Sequence, residues 1–147
     1  MKPVLLTIFA LPIAACSKPA DQPAAKNAET PEVSQAAQAP VPSLEGEWVV
    51  EQINGKAPEQ EWPITAEVTK DRFTVVSDCR RMGWTLKQDR NLVRFTPAAG
   101  VECARPRSAD EYLVDKVLNL ANIAMFSDEG REVQLTGPGG NVALTRR

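Results

Sequence analysis

A chain of 147 residues with 17 Lys and Arg against 19 Asp and Glu carries a net charge of −2 at neutral pH. That mild acidity offers no basic face for nucleic acid, whose binders cluster positive charge. Histidine is absent, which removes His triads, His metal sites and His proton shuttles together. No cofactor is expected, and no metal site, because two thiolates without imidazole do not make a usual zinc set.

Lys2 followed by an apolar run over residues 4–15 has the layout of an export signal. The run ends in Leu11-Pro12-Ile13-Ala14-Ala15-Cys16. This resembles the bacterial lipobox, in which a small residue precedes a cysteine that is diacylated before cleavage. The resemblance implies a lipoprotein signal peptide over residues 1–15 and lipidation of Cys16 as the first mature residue. Spanning a bilayer takes about 20 apolar residues, more than this run holds. Two acyl chains suffice to anchor a protein where one is marginal. Ser17, rather than Asp, follows the cysteine. By likeness to known sorting signals, that directs the chain to the outer membrane of a Gram-negative envelope, facing the periplasm.

Residues 16–43 read as the lipidated cysteine and a tether rich in Pro and Ala. Val33 and Val41 are its only sizeable apolar side chains, and Pro19, Pro23, Pro31, Pro40 and Pro42 punctuate it. Such a stretch cannot bury enough surface to offset its ordering entropy, so it is expected to be disordered.

Residues 44–147 are enough for one modest core, and a monomer is expected. Residues 48–53 read as a strand ending at Asn54-Gly55, a strong turn signal. Residues 64–69 and 72–77 flank a Lys70-Asp71 turn, and 82–87 and 91–96 alternate apolar with polar. Three more candidates, 123–126, 132–136 and 141–145, are separated by Asp128-Glu129-Gly130 and Gly137-Pro138-Gly139-Gly140. Residues 108–121 break the rhythm. Leu113, Val114, Val117, Leu118 and Ala121 recur at helical spacing, and Ser108 with Glu111 forms a capping box. Asp110 and Glu111 also suit the positive end of the helix dipole. The fold class expected is α+β, mainly β: a small antiparallel β-barrel-like domain with one packed helix.

With Cys16 committed to lipid, Cys79 and Cys103 remain as an even pair in an exported domain, and a structural disulfide is expected. The alternative is a thiol–disulfide redox protein, in which Arg80 and Arg81 would lower the Cys79 thiol pKa. Exchange catalysts usually place their cysteines much closer together, as in Cys-x-x-Cys.

Leu44-x-Gly46-x-Trp48, Ile53-Asn54-Gly55, the hairpin leading to Cys79, then Cys103, the helix with Glu111 and Leu113, and Val133-Gln134-Leu135-x-Gly137 follow one another in order. Together they resemble the META domain, the family of the bacterial heat-shock protein HslJ, over nearly all of residues 44–147. The resemblance implies a compact β-rich fold with a helix, frequent in secreted or lipid-anchored proteins. It also implies a loose association with stress tolerance, motility and secretion, without an established catalytic activity. The chain departs from the family pattern at two places. Asp78-Cys79-Arg80-Arg81 stands where Gly-Cys-Asn is common, and Val101-Glu102-Cys103 where Met-Ala-Cys is frequent.

Carboxylates, hydroxyls, lysines and Tyr112 are the remaining chemical groups. A glycosidase needs two carboxyls about 5–9 Å apart in a cleft, and the spacing singles out no such pair. The chain therefore reads as no enzyme but a lipid-anchored envelope protein with a non-catalytic binding or stress-response role. The alternative is a periplasmic inhibitor of a hydrolase, lysozyme or protease, toward which acidity would steer a basic target. Against it, the Ser-Gly and aromatic-Lys signatures of lysozyme inhibitors are missing, and an acylated Cys16 would hinder insertion of the amino terminus into a protease cleft. Arg80, Arg81, Arg105 and Arg107 flank the two cysteines, so a disulfide would gather them into a basic binding patch. Its expected partners are anionic lipid headgroups or an acidic envelope protein.

Overall fold

The computed structural model describes residues 40–147. The signal segment, Cys16 and the tether up to residue 39 lie outside the described residues.

Strands form where apolar residues alternate, and turns where the sequence breaks that alternation. β1 (Gly46–Ile53), β2 (Ile64–Val68), β3 (Arg72–Ser77), β4 (Arg80–Asp89) and β5 (Leu92–Val101) precede helix α1 (Ala109–Leu120). β6 (Ile123–Ser127), β7 (Glu132–Gly137) and β8 (Gly140–Arg146) follow it. Each strand pairs antiparallel with its neighbour in sequence, and β8 returns to β1, so the sheet closes into an eight-stranded barrel. The fold is thus mainly β with one helix, as the alternation predicts.

The inward residues fill the barrel. Trp48, Phe73, Val75, Trp84, Leu135 and Leu144 are buried at its centre, with Phe73 edge-on to both Trp84 and Phe95 at ring separations of 6.5 and 5.2 Å. A barrel of eight strands is just wide enough for side chains to fill. A register shift between Val50 and Gln52 interrupts the alternation of β1 and turns Ile53 back into the core.

Closure is uneven. β5 and β6 share the single register pair Leu92 with Ile123, supported by hydrogen bonds from Val93 N to Asn122 O at 3.0 Å and from Ala124 N to Asn91 O at 2.8 Å. Beyond that point α1 covers the flank, packed against β5, β7 and β8. Val114, Val117, Leu118 and Ala121 bury against the barrel, and Trp84 Nε1 donates to Asn119 Oδ1 at 2.7 Å. The helix sits close because Gly137 and Gly139 carry no Cβ; one added there would overlap the Leu120 and Lys116 carbonyl oxygens.

Leu113 was expected on the buried stripe but is exposed, whereas Asp110 and Glu111 are buried. The packed stripe is i, i+3, i+4, i+7 from Val114, which rotates Leu113 outward and turns the first helical turn toward the barrel rim.

At the other end of the barrel the incoming chain is clasped before β1 begins. Leu44 is buried, its N–H donates to Gln88 Oε1 at 3.0 Å, and Gln88 Nε2 donates to Pro42 O at 3.0 Å. The Arg146 guanidinium lies 4.4 Å over the Trp48 ring and donates to Ser43 and Glu45 carbonyls.

Candidate functional site: a charged cluster at the disulfide rim

Cys79 sits in the tight turn between β3 and β4, and Cys103 just beyond β5. The two are joined by a disulfide, their Cα atoms 5.7 Å apart. The staple brings the residues flanking each cysteine to one rim of the barrel, where the capped end of α1 meets them.

Glu111 is the hub. It is the N3 residue of α1 and is 0 % exposed. Its carboxylate accepts the Ser108 N–H at 2.9 Å, while its own N–H donates to Ser108 Oγ at 3.1 Å, completing the capping box. It also receives Arg105 through both terminal nitrogens, at 2.6 and 3.1 Å, the forked geometry that guanidinium and carboxylate share. Arg80, only 2 % exposed, points inward from the start of β4. It pairs with Glu102, places its Nε 3.3 Å from Glu111 Oε2 and donates to the Arg105 carbonyl at 2.9 Å. The Arg80 Nε has no well-aligned acceptor, so its attraction to Glu111 is through charge rather than a directed hydrogen bond.

Around this core lies a second set of contacts. Arg105 reaches Asp78 at 3.3 Å and the Ser77 carbonyl at 3.1 Å, and lies 4.5 Å over the Trp62 ring. Trp62 Nε1 and Gln60 Nε2 donate to Ser77 Oγ at 3.0 and 3.1 Å, and Ser108 Oγ donates to Gln60 Oε1 at 2.7 Å. Asp110 accepts the Glu59 and Gln60 N–H groups, which pins the loop between β1 and β2 onto the helix. Three segments distant in sequence, residues 59–62, 77–80 and 102–111, are thereby fastened together.

The arginine patch expected from sequence takes a different form. Arg80, Arg105 and Arg107 do converge beside the disulfide, but carboxylates occupy each of them. Arg107 bridges Glu102 at 2.8 Å and Asp115 at 3.7 Å. Arg81 is exposed and pairs with Glu67 at 3.4 Å. Among the described residues each of the four arginines thus has a carboxylate partner, Arg80 and Arg105 in the buried cluster and Arg81 and Arg107 nearer the surface. Of the two arginines on which the redox alternative drew, Arg80 is held by Glu102 and Glu111, and Arg81 pairs with Glu67. Glu111 was visible in sequence as a cap; its role as counterion to two arginines was not, and neither were the supporting roles of Gln60, Trp62 and Asp110. Among the described residues no group of three or more His, Cys, Asp or Glu side chains could hold a metal ion.

Burial by itself would raise the Glu111 carboxyl, but the Arg105 hydrogen bonds, the Ser77 side chain, the Ser108 N–H and the Arg105 charge hold it down to about 2. Glu111 is therefore ionised at neutral pH, an acceptor and counterion rather than a proton donor. Its pKa lies below that of an unfolded glutamate, about 4.3, so the unfolded chain takes up the proton first as pH falls. This contribution to stability is complete above about pH 5 and is lost between about pH 5 and 2. Melting temperatures across that window should fall, and the fall should be much shallower in Glu111→Gln protein.

No family model matches the chain, and no curated protein matches it. A solved structure does: the NMR structure of a protein from Burkholderia xenovorans. It superposes with a TM-score of 0.53 at 18 % identity, covering 70 % of this chain and 82 % of that one. At that identity the likeness shows the fold alone.

Proposed function

We propose that this chain is a lipid-anchored envelope protein whose META-like barrel has a binding or stress-response role rather than a catalytic one. The observation that carries the reading is the pairing of two features in one chain. A lipobox-like segment ends at Cys16, and the domain behind it holds the Cys79–Cys103 disulfide. Structural disulfides persist in oxidising compartments, which is where a lipoprotein signal delivers its domain. The two departures from the META pattern also fit together. Arg80 and Glu102 pair with each other, and Asp78 pairs with Arg105, so the charges that replace small or neutral residues compensate one another.

Intact-mass measurement on the full chain expressed in a Gram-negative host tests the anchor. The expected product lacks residues 1–15, carries acyl chains on Cys16 and fractionates with the outer membrane. A Cys16→Ser chain should be neither acylated nor processed at that site. An unmodified Cys16 in the mature protein would overturn the reading.

A further inference from the structure

With the rim arginines paired internally, unpaired positive charge collects elsewhere. On the outer face of the barrel Lys87 of β4 stands directly across from Arg94 of β5. Both are exposed, and among the described residues neither has a carboxylate within ion-pairing distance. Like charges directly opposite on neighbouring strands destabilise a sheet, so the pair is a cost that the fold itself does not offset. Arg90, in the turn joining the two strands, meets only its own neighbour Asp89, at 3.9 Å.

Beside these cations lies exposed apolar surface. Leu92 follows in register on the same face of β5 and is 62 % exposed, opposite the exposed Ile123, with Met125 one step further along β6. Leu120 joins them at the end of α1, where Leu92, Arg94, Lys87 and Leu120 line one shallow groove, with Asp89 the one carboxylate on it. Exposed leucine, isoleucine and methionine bordered by uncompensated Lys and Arg are the ingredients of a surface that settles on an anionic bilayer.

The path of the chain selects the same partner. The residues leading from Cys16 enter the domain at Pro42–Leu44, which are held by Gln88, the residue between Lys87 and Asp89 in β4. The geometry points to the β4–β5 hairpin, with Leu120, Ile123 and Met125, as a face that lies on an anionic lipid surface. This rests on the anchor proposed above. Even fully extended, the stretch from Cys16 to Pro40 spans at most about 86 Å. Tethering at that range raises the local concentration, so a weak surface affinity becomes effective.

The test is flotation of the mature chain without acyl groups (Ser17 onward) with vesicles of phosphatidylcholine alone or mixed with phosphatidylglycerol. Binding is expected only to the anionic vesicles and should weaken as salt rises. Lys87→Glu/Arg94→Glu should cut partitioning about 30-fold or more, and Leu92→Ser severalfold. Lys56→Glu, near the Asn54-Gly55 turn at the opposite end of the barrel, should leave it unchanged. All the substituted side chains are exposed, and matching melting curves would show that the variants fold. Equal binding to both vesicle types, or equal binding by all variants, would overturn the proposal, as would capture of an acidic protein by a face that ignores vesicles. Acylation of Cys16 in cells, together with failure of the non-acylated chain to float, refutes this face and leaves the anchor standing. A chain unmodified in cells refutes the anchor.

Discussion

Replacing Glu111 by Gln is expected to destabilise the domain by about 3–5 kcal/mol, the cost of removing one partner from a buried ion pair. The amide is nearly isosteric and can still accept the Ser108 N–H, so the helix cap survives in part. The loss is electrostatic. Arg80 is almost wholly buried, and without Glu111 its remaining carboxylate among the described residues is Glu102, itself largely exposed. Arg105 keeps Asp78 and partial contact with water. For a domain of this size the change should lower Tm by at least about 12 °C, read from thermal melts at pH 7. Replacing the buried pair together, Glu111→Met with Arg80→Met, should recover much of the loss, because a packed apolar pair often does as well as a buried ionic one. A loss below about 1 kcal/mol for Glu111→Gln would mean that water screens the cluster and that it does not hold the rim together.

The eight strands were legible because most carry a period-two stretch and most end at a Gly, Asn or Asp turn. Asn54-Gly55 and the Gly137-to-Gly140 turn are local signals, and local signals survive without tertiary context. The helix was legible for the same reason, since its stripe and capping box lie within a few residues of each other. What pattern could not supply was the company each residue keeps. Nothing local says that β8 returns to β1, or that β5 and β6 touch at one register pair and leave the remaining flank to α1. The arginines show this most clearly. In sequence, Arg80 and Arg105 flank cysteines and look like a basic patch, because their counterion, Glu111, reads as a helix cap. Folding brings cap and cations into contact, so that Arg80 and Arg105 share Glu111 as a counterion. Lys87 and Arg94 drew no notice in sequence because an isolated Lys or Arg on an alternating strand is an ordinary outward residue. Only the register places them face to face.

Removing the disulfide with Cys79→Ser/Cys103→Ser should cost about 3–4 kcal/mol on the chain-entropy view of a loop of this length. The loop spans a sequence separation of 24 and contains both β4 and β5, so residual hairpin pairing in the unfolded chain would trim that figure. The larger consequence is for the cluster. The staple holds Asp78 and Arg80 on one side against Glu102 and Arg105 on the other, so their pairing starts from a geometry already imposed. Without it, each ion pair must also bear the cost of ordering its own segment. Staple and cluster should therefore be coupled: the disulfide's contribution, measured by denaturant unfolding, should be smaller in the Glu111→Gln background by about 1 kcal/mol or more. Set against a typical domain stability of about 5–15 kcal/mol, removal of both would bring the barrel close to unfolding. Strict additivity of the two changes would show instead that the disulfide acts only on the unfolded chain and that the cluster assembles without its help.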